Sequence, residues 1–133
     1  MGMIVCSFCL FILGGTSSVR ASTTIPQEES YIYGQQVWSA SSSPYIINQD
    51  ITIPYGSSLT IEPGVEVTSD NGPENIPSIH VNGSLYMEGT SDLHVLIHNI
   101  GGLVIENATA TLSFVDINIP YGVYAGFSHL SID

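Results

Sequence analysis

The chain has 133 residues, enough for one modest domain, and twelve Asp and Glu residues against a single Lys or Arg give it a formal net charge of −11. Binding of nucleic acid depends on Lys and Arg side chains that displace phosphate counterions, so this composition excludes a nucleic-acid partner. It equally disfavours anionic membranes and bare polyuronate chains unless cations bridge them, and it is typical of an acidic extracellular surface.

Residues 1–21 have the pattern of a signal peptide. An apolar run over 3–13 is too short to span a bilayer as a helix, and the residues after it suit cleavage behind Ala21. No basic residue precedes the run, so a buried N-terminal element and a retained membrane anchor stay open. We expect a secreted or cell-surface protein without membrane contact beyond this leader. Both cysteines lie within the leader, at Cys6 and Cys9.

Residues 22–44 are polar and rich in Ser and Thr, which predicts a linker and an N-terminal cap. Trp38 and Tyr31-Ile32-Tyr33 interrupt this segment. Since the end of a repeat domain exposes its core, we expect an aromatic side chain of this segment to cover the open end of the first coil.

From Tyr45 onward, apolar residues alternate with polar ones between turn residues, which predicts strands and no helix. The predicted strands are 45–53, 58–62, 65–68, 78–82, 84–88, 93–98, 102–106, 110–115, 122–125 and 129–132.

These strands recur at a spacing of one coil. The first series consists of 59–61, 85–87 and 112–114, at steps of 26 and 27 residues. A second series joins 79–81, 103–105 and 130–132, and a looser third pairs 95–97 with the segment around Val123. Three series predict a three-sided β-solenoid of about three coils over residues 45–133, the fewest that bury a common core.

Alternation within each strand assigns the faces of the first series. We expect Leu59, Leu85 and Leu112 to point inward, together with the apolar residue two positions later, which includes Phe114. The residues between them are expected to point outward: Thr60, Tyr86 and Ser113.

The corners carry motifs of a known family. Trp38 and the strand from Tyr45 precede Leu-Thr-Ile-Glu-Pro-Gly at 59–64, and the segment 83–90 has the pattern Gly-x-Leu-x-x-x-Gly-Thr. Over about residues 37–133 the chain resembles the N-terminal part of secreted, pectate-lyase-like proteins. The resemblance implies an all-β, right-handed, single-stranded parallel β-helix. Because family members continue over many more coils, it also implies a truncated chain.

Catalytic residues are not predicted. Polysaccharide lyases of the family use Arg or Lys as the base, and its glycoside hydrolases use clustered Asp residues with an adjacent Asp-Asp pair. The chain beyond the leader has no Arg, Lys or Asp-Asp. Winding could still bring a carboxylate pair together, as glycoside hydrolysis requires. The dispersed candidates are Asp50, Asp92, Asp116 and Asp133.

A metal site is considered at two places. His94 and His98 lie four positions apart on a predicted strand, about 13 Å, too far to share one ion. His80 and His129 are expected to point outward. Calcium prefers several oxygen ligands, and the candidate ligands lie in the segment 69–75. The alternative is that this segment is an ordinary protruding loop between coils. The candidate ligands are Asp70, Asn71 and Glu74.

Two asparagines begin N-glycosylation acceptor motifs, Asn82 in Asn-Gly-Ser and Asn107 in Asn-Ala-Thr. Both lie at predicted corners, where Asn is favoured because it tolerates turn conformations.

The sequence therefore favours a non-catalytic extracellular scaffold or a surface module that interacts with a polysaccharide or cell-surface glycan. Outward Tyr86 and Tyr124 are the candidates to stack on sugar rings. The alternative is the N-terminal part of a carbohydrate-active enzyme whose catalytic coils are missing. Ice binding would need a flat outer rank of threonines. It is disfavoured because the outward threonines, Thr60 and Thr111, are too few and are not expected in one repeated position.

Overall fold

The structure is a computed structural model that describes residues 22–126 and 128–133. The predicted signal peptide, with Cys6, Cys9 and Arg20, lies outside the described residues. Two 3₁₀ turns, Gln27–Glu29 and Ala40–Ser42, are the helical elements of the described part. No helix in that part is long and apolar enough to cross a membrane.

Short strands account for the rest of the regular structure of the described chain. In order they are β1 (Thr23–Thr24), β2 (Gln35–Trp38), β3 (Tyr45–Ile46), β4 (Ile51–Ile53), β5 (Ser58–Ile61), β6 (Glu66–Thr68), β7 (Ile79–Val81), β8 (Ser84–Glu88), β9 (Val95–His98), β10 (Leu103–Glu106), β11 (Thr109–Ser113), β12 (Val115–Asn118), β13 (Val123–Gly126) and β14 (His129–Ile132).

The strands form three sheets, and every neighbouring pair is parallel. The first sheet has the order β12-β9-β6-β3-β1, the second β13-β10-β7-β4, and the third β14-β11-β8-β5-β2. The chain visits the three sheets in turn. This confirms the predicted all-β, three-sided parallel solenoid.

The predicted count of three coils is too low, because two five-stranded sheets correspond to about five turns. The additional first turn comes from the Ser- and Thr-rich segment, where β2 pairs with β5. The additional last turn is short: Val115 pairs with Val95, 20 positions earlier. In that turn only Phe114 separates β11 from β12.

The predicted pairing is right in the middle coils and wrong towards the end. Leu59 pairs with Leu85, and Ile79 pairs with Leu103, as expected. Leu112, however, lies opposite Met87. Phe114 has a φ of 49° and is exposed, because the chain leaves the sheet there to turn the corner.

Two further predicted series also need correction. Segment 130–132 belongs to the third sheet, where Ile132 pairs with Leu112. Val123 pairs with Leu103 in the second sheet and is therefore no partner of β9. The same alternation occurs on all three sides, so apolar spacing alone did not distinguish the sheets.

The core is a stack of inward ranks along the solenoid. Ile61, Met87 and Leu112 follow one another in register and are at most 1% exposed. Burial of each such side chain contributes roughly 1.5–3 kcal/mol. Trp38 extends this rank into the first turn and lies in the core, with its ring stacked on Tyr45 at a centroid distance of 4.6 Å.

Candidate functional site

A groove runs along the corner between the second and third sheets. We call it the corner groove, and it encloses about 780 Å³. Its lining comes from the first four turns: Gln35, Tyr55, Gly56, Ser57, Ser58, Asn82, Gly83, Ser84, Tyr86, Asn107, Ala108 and Thr109.

The floor of the groove is made of small residues because successive corners lie directly on one another. A Cβ on Gly83 would be 2.2 Å from the carbonyl oxygen of Ser57 and 2.4 Å from that of Pro54. The amide of Ser84 donates to Ser57 O at 3.0 Å, and that of Thr109 donates to Gly83 O at 3.1 Å. These bonds between turns fix the depth of the floor.

A tight turn places an aromatic ring at the rim. The amide of Ser57 donates to Pro54 O at 3.0 Å, and Gly56 has a φ of 83°, which a side chain would strain. Tyr55 lies between Pro54 and Gly56 at the tip of the turn and is 90% exposed.

The wall on the third sheet is a ladder of hydroxyl groups. Ser58, Ser84 and Thr109 occupy one outward rank in register, and Gln35 begins it. Tyr86 lies in the next outward rank and is half-buried. The groove therefore has a polar wall with an aromatic side chain in its middle.

None of the residues that line the groove is charged, although the chain carries twelve acidic residues. Hydroxyl and amide groups of the lining can donate and accept neutral hydrogen bonds, and the two tyrosines offer aromatic faces. No lining residue is a carboxylic acid, a histidine or a cysteine.

The structure separates the two tyrosines proposed from the sequence. Tyr86 lines the groove, whereas Tyr124 is exposed on the outer face of the second sheet, where it pairs with Val104. Asn82 and Asn107 both lie at corners of the groove. Asn107 has a φ of 52°, a turn conformation that Asn tolerates.

Sequence reasoning missed Gln35 and Tyr55 as groove residues. The Pro-Tyr-Gly sequence of the turn was a signal for an exposed Tyr55. Gln35 gave no such signal, because only the pairing of β2 with β5 brings it to the wall.

The proposed calcium ligands lie in the loop after β6. The side-chain amide of Asn71 donates to Asn48 O at 2.9 Å and to Asn75 O at 2.8 Å, so it ties the loop to the turn below. Asp70 and Glu74 are exposed. Over the described residues, no group of three His, Cys, Asp or Glu side chains is placed to hold a metal. Calcium binding stays a prediction.

Three histidines contact carboxylates contributed by neighbouring turns. The contacts are His80 Nε2 to Asp50 Oδ2 at 3.9 Å, His94 Nδ1 to Asp116 Oδ2 at 3.0 Å, and His98 Nε2 to Glu66 Oε2 at 2.5 Å. Each histidine has a different partner, and none of these residues lines the corner groove. The sequence did not reveal these partners because they are distant along the chain. Asp116 is 22 positions from His94, and Glu66 is 32 positions from His98.

Thr60 and Thr111 share one outward rank, contrary to the sequence-based expectation. Both pair with Tyr86, which lies between them. The tyrosine ring interrupts the threonine rank, so this face lacks the flat repeat of threonines that the ice-binding hypothesis requires.

Comparison of the chain with models of protein families, with curated proteins and with solved structures gave no match.

Proposed function

We propose that the protein is a non-catalytic, extracellular β-solenoid module that binds an uncharged stretch of a glycan in the corner groove. The observation that carries the proposal is the uncharged, hydroxyl-lined groove with two tyrosines in a chain with a net charge of −11. Secretion and a relationship to pectate-lyase-like proteins are part of the proposal, and their support is the sequence motifs of the leader and the corners.

Sugar chemistry suits this lining. A pyranose ring presents an apolar C–H face and a rim of hydroxyl groups. Tyr86 and Tyr55 can contact the C–H face, while Ser58, Ser84 and Thr109 exchange hydrogen bonds with the rim. Burial of neutral groups here avoids the desolvation cost that a charged ligand group without a partner would meet.

The length of the groove suits a short oligosaccharide. Its lining spans four turns, and neighbouring turns lie about 4.8 Å apart, so the wall is about 14 Å long. Because the wall repeats with each turn, it presents similar hydroxyl groups to successive sugar units.

A binding role is favoured over hydrolysis for this part of the chain. Glycoside hydrolysis needs two carboxyl groups across the scissile bond, and the groove lining contains none.

The test is replacement of Tyr86, the tyrosine in the middle of the wall. Tyr86→Ala is expected to weaken binding of neutral oligosaccharides about tenfold, which corresponds to ~1.4 kcal/mol, because it removes the aromatic contact in the middle of the wall. A neutral-glycan array identifies the oligosaccharide, and isothermal titration calorimetry measures its affinity.

Tyr124→Ala is the matched control, because it removes an exposed tyrosine from a different sheet. Its affinity should equal that of the parent protein. The proposal is wrong if the parent protein binds no glycan on the array, or if both tyrosine variants lose affinity equally. Thermal unfolding should show that both variants are folded.

A further inference from the structure

A second depression adjoins the corner groove on the side of the second sheet. We call it the side basin. It encloses about 590 Å³, and the residues that matter here are Tyr31, Asp50, Tyr55, His80 and Asn82. Tyr55 and Asn82 line both depressions, so a ligand in the groove can continue past Tyr55 into the basin.

The basin differs from the groove in having a carboxylate. The side chain of Asp50 is 66% exposed, and its Oδ1 accepts a hydrogen bond from the amide of Ser78 at 2.9 Å. Its Oδ2 is 3.9 Å from His80 Nε2, beyond hydrogen-bond distance. The described part of the chain contains no Lys or Arg that could neutralise this carboxylate.

Two tyrosines, Tyr31 and Tyr55, line the basin together with Asp50. Tyr31 is 52% exposed, and its ring stacks on Tyr33 at a centroid distance of 5.8 Å. The backbone around Tyr31 is fixed, because the amide of Ile32 donates to Thr52 O at 2.8 Å and that of Thr52 donates to Ser30 O at 2.7 Å. The backbone hydrogen bonds and the stacking on Tyr33 both restrain Tyr31 at the edge of the basin.

We infer that the side basin binds the ammonium group of an amino sugar, so that the glycan recognised by the module contains protonated glucosamine-type units. This inference rests on the proposed function of the corner groove. A carboxylate forms charge-assisted hydrogen bonds with an ammonium group, and tyrosine faces attract it through cation–π interaction. The acidic surface as a whole attracts a cationic glycan and repels a uronate chain.

The experiment compares three oligosaccharides of equal length: an N-acetylglucosamine oligomer with one terminal unit left as free glucosamine (the glucosamine oligomer), its fully N-acetylated form, and a neutral glucose oligomer. Calorimetry at about physiological ionic strength limits non-specific charge attraction. The glucosamine oligomer is expected to bind about tenfold more tightly than the two uncharged oligomers. Asp50→Asn should abolish this preference and leave the affinity for the uncharged oligomers within about twofold.

Asp50→Asn keeps an oxygen that accepts the Ser78 amide, so the turn is retained. Asp92→Asn is the matched control, because it removes the same charge from an exposed position outside both depressions. It should keep the tenfold preference. An equal loss in both variants would mean a general charge effect and would overturn the inference.

The outcomes separate the two proposals. If the uncharged oligomers bind and the glucosamine oligomer binds no more tightly, the inference is wrong and the groove proposal stands. If none of the three oligosaccharides binds, the inference is wrong, and the neutral-glycan array decides the groove proposal separately. A lysine-rich peptide is the fourth probe: if it alone binds and loses affinity in Asp50→Asn, the basin recognises amines without a sugar, which also overturns the inference.

Discussion

At the scale of single residues, Gly83 determines how closely the third turn of the solenoid lies on the second. A Cβ at this position would meet two backbone carbonyl oxygens, those of Ser57 and Pro54, and neither can rotate away. The amides of Asn82 and Gly83 also both donate to Ile53 O, at 2.8 and 2.9 Å. The glycine is therefore needed for contact between the turns.

We predict that Gly83→Ala lowers the free energy of unfolding by about 1–3 kcal/mol, because the corner must open to admit the methyl group. Gly72→Ala is the control: a Cβ there meets nothing within 4 Å. Its effect should stay within about 0.5 kcal/mol. Urea unfolding followed by tyrosine fluorescence and circular dichroism measures both. Equal effects of the two substitutions would contradict the close approach at Gly83.

The residues of the groove were predictable in so far as their signal is local. Asn82-Gly83 and Asn107 were recognised as corners because turn chemistry depends on adjacent residues. Tyr86 was recognised as outward because alternation within one strand is enough to assign its face. Their assembly into one groove with Gln35 and Tyr55 depends on pairing between turns, which no local pattern contains.

At the scale of elements, the sequence predicted strands more reliably than their partners. A shift of two residues keeps every side chain on its own face, so Leu112 fits opposite Leu85 as well as opposite Met87 by pattern alone. In the structure Thr109 pairs with Ser84, 25 positions earlier, whereas pairing Leu112 with Leu85 would require a spacing of 27. The last turn is short because β12 begins immediately after the bend at Phe114.

The inward rank of the third sheet gives a test of this register. Ile61 and Ile132 belong to the same rank, but Ile61 is 0% exposed in the second turn, and Ile132 is 64% exposed in the fifth. We predict that Ile61→Ala costs about 2–5 kcal/mol of stability, since it leaves a cavity between packed turns. Ile132→Ala should cost less than about 1 kcal/mol. Chemical denaturation measures both, and a similar cost at the two positions would contradict the assigned burial.

At the scale of the whole molecule, the charge has almost no internal compensation. The described residues include all twelve acidic residues and no Lys or Arg, and three of the four histidines make the contacts with carboxylates described above. Mutual repulsion of carboxylates destabilises a compact state. In the strand pairings Glu66 and Asp116 lie opposite Leu96, Glu88 opposite Ser113 and Glu106 opposite Gly126, so no acidic residue of a paired strand directly faces another. The repulsion therefore acts over longer distances across the surface, where salt screens it.

We therefore predict that the melting temperature rises by several degrees when NaCl is increased from about 10 mM to about 0.5 M, since the screening length falls from about 30 Å to a few ångströms. Differential scanning calorimetry measures the shift, for which about 1 kcal/mol corresponds to ~4–8 °C in a domain of about 100 residues. The control is a variant with three exposed carboxylates replaced by amides, Glu88→Gln, Asp92→Asn and Glu106→Gln. It should melt higher at low salt and respond less to NaCl.

CaCl₂ at matched ionic strength distinguishes screening of the carboxylates from calcium binding. A shift in melting temperature equal to that in NaCl means screening, whereas a larger shift that Asp70→Asn abolishes would support calcium binding in the loop after β6. A melting temperature independent of salt in both proteins would contradict the role assigned to carboxylate repulsion.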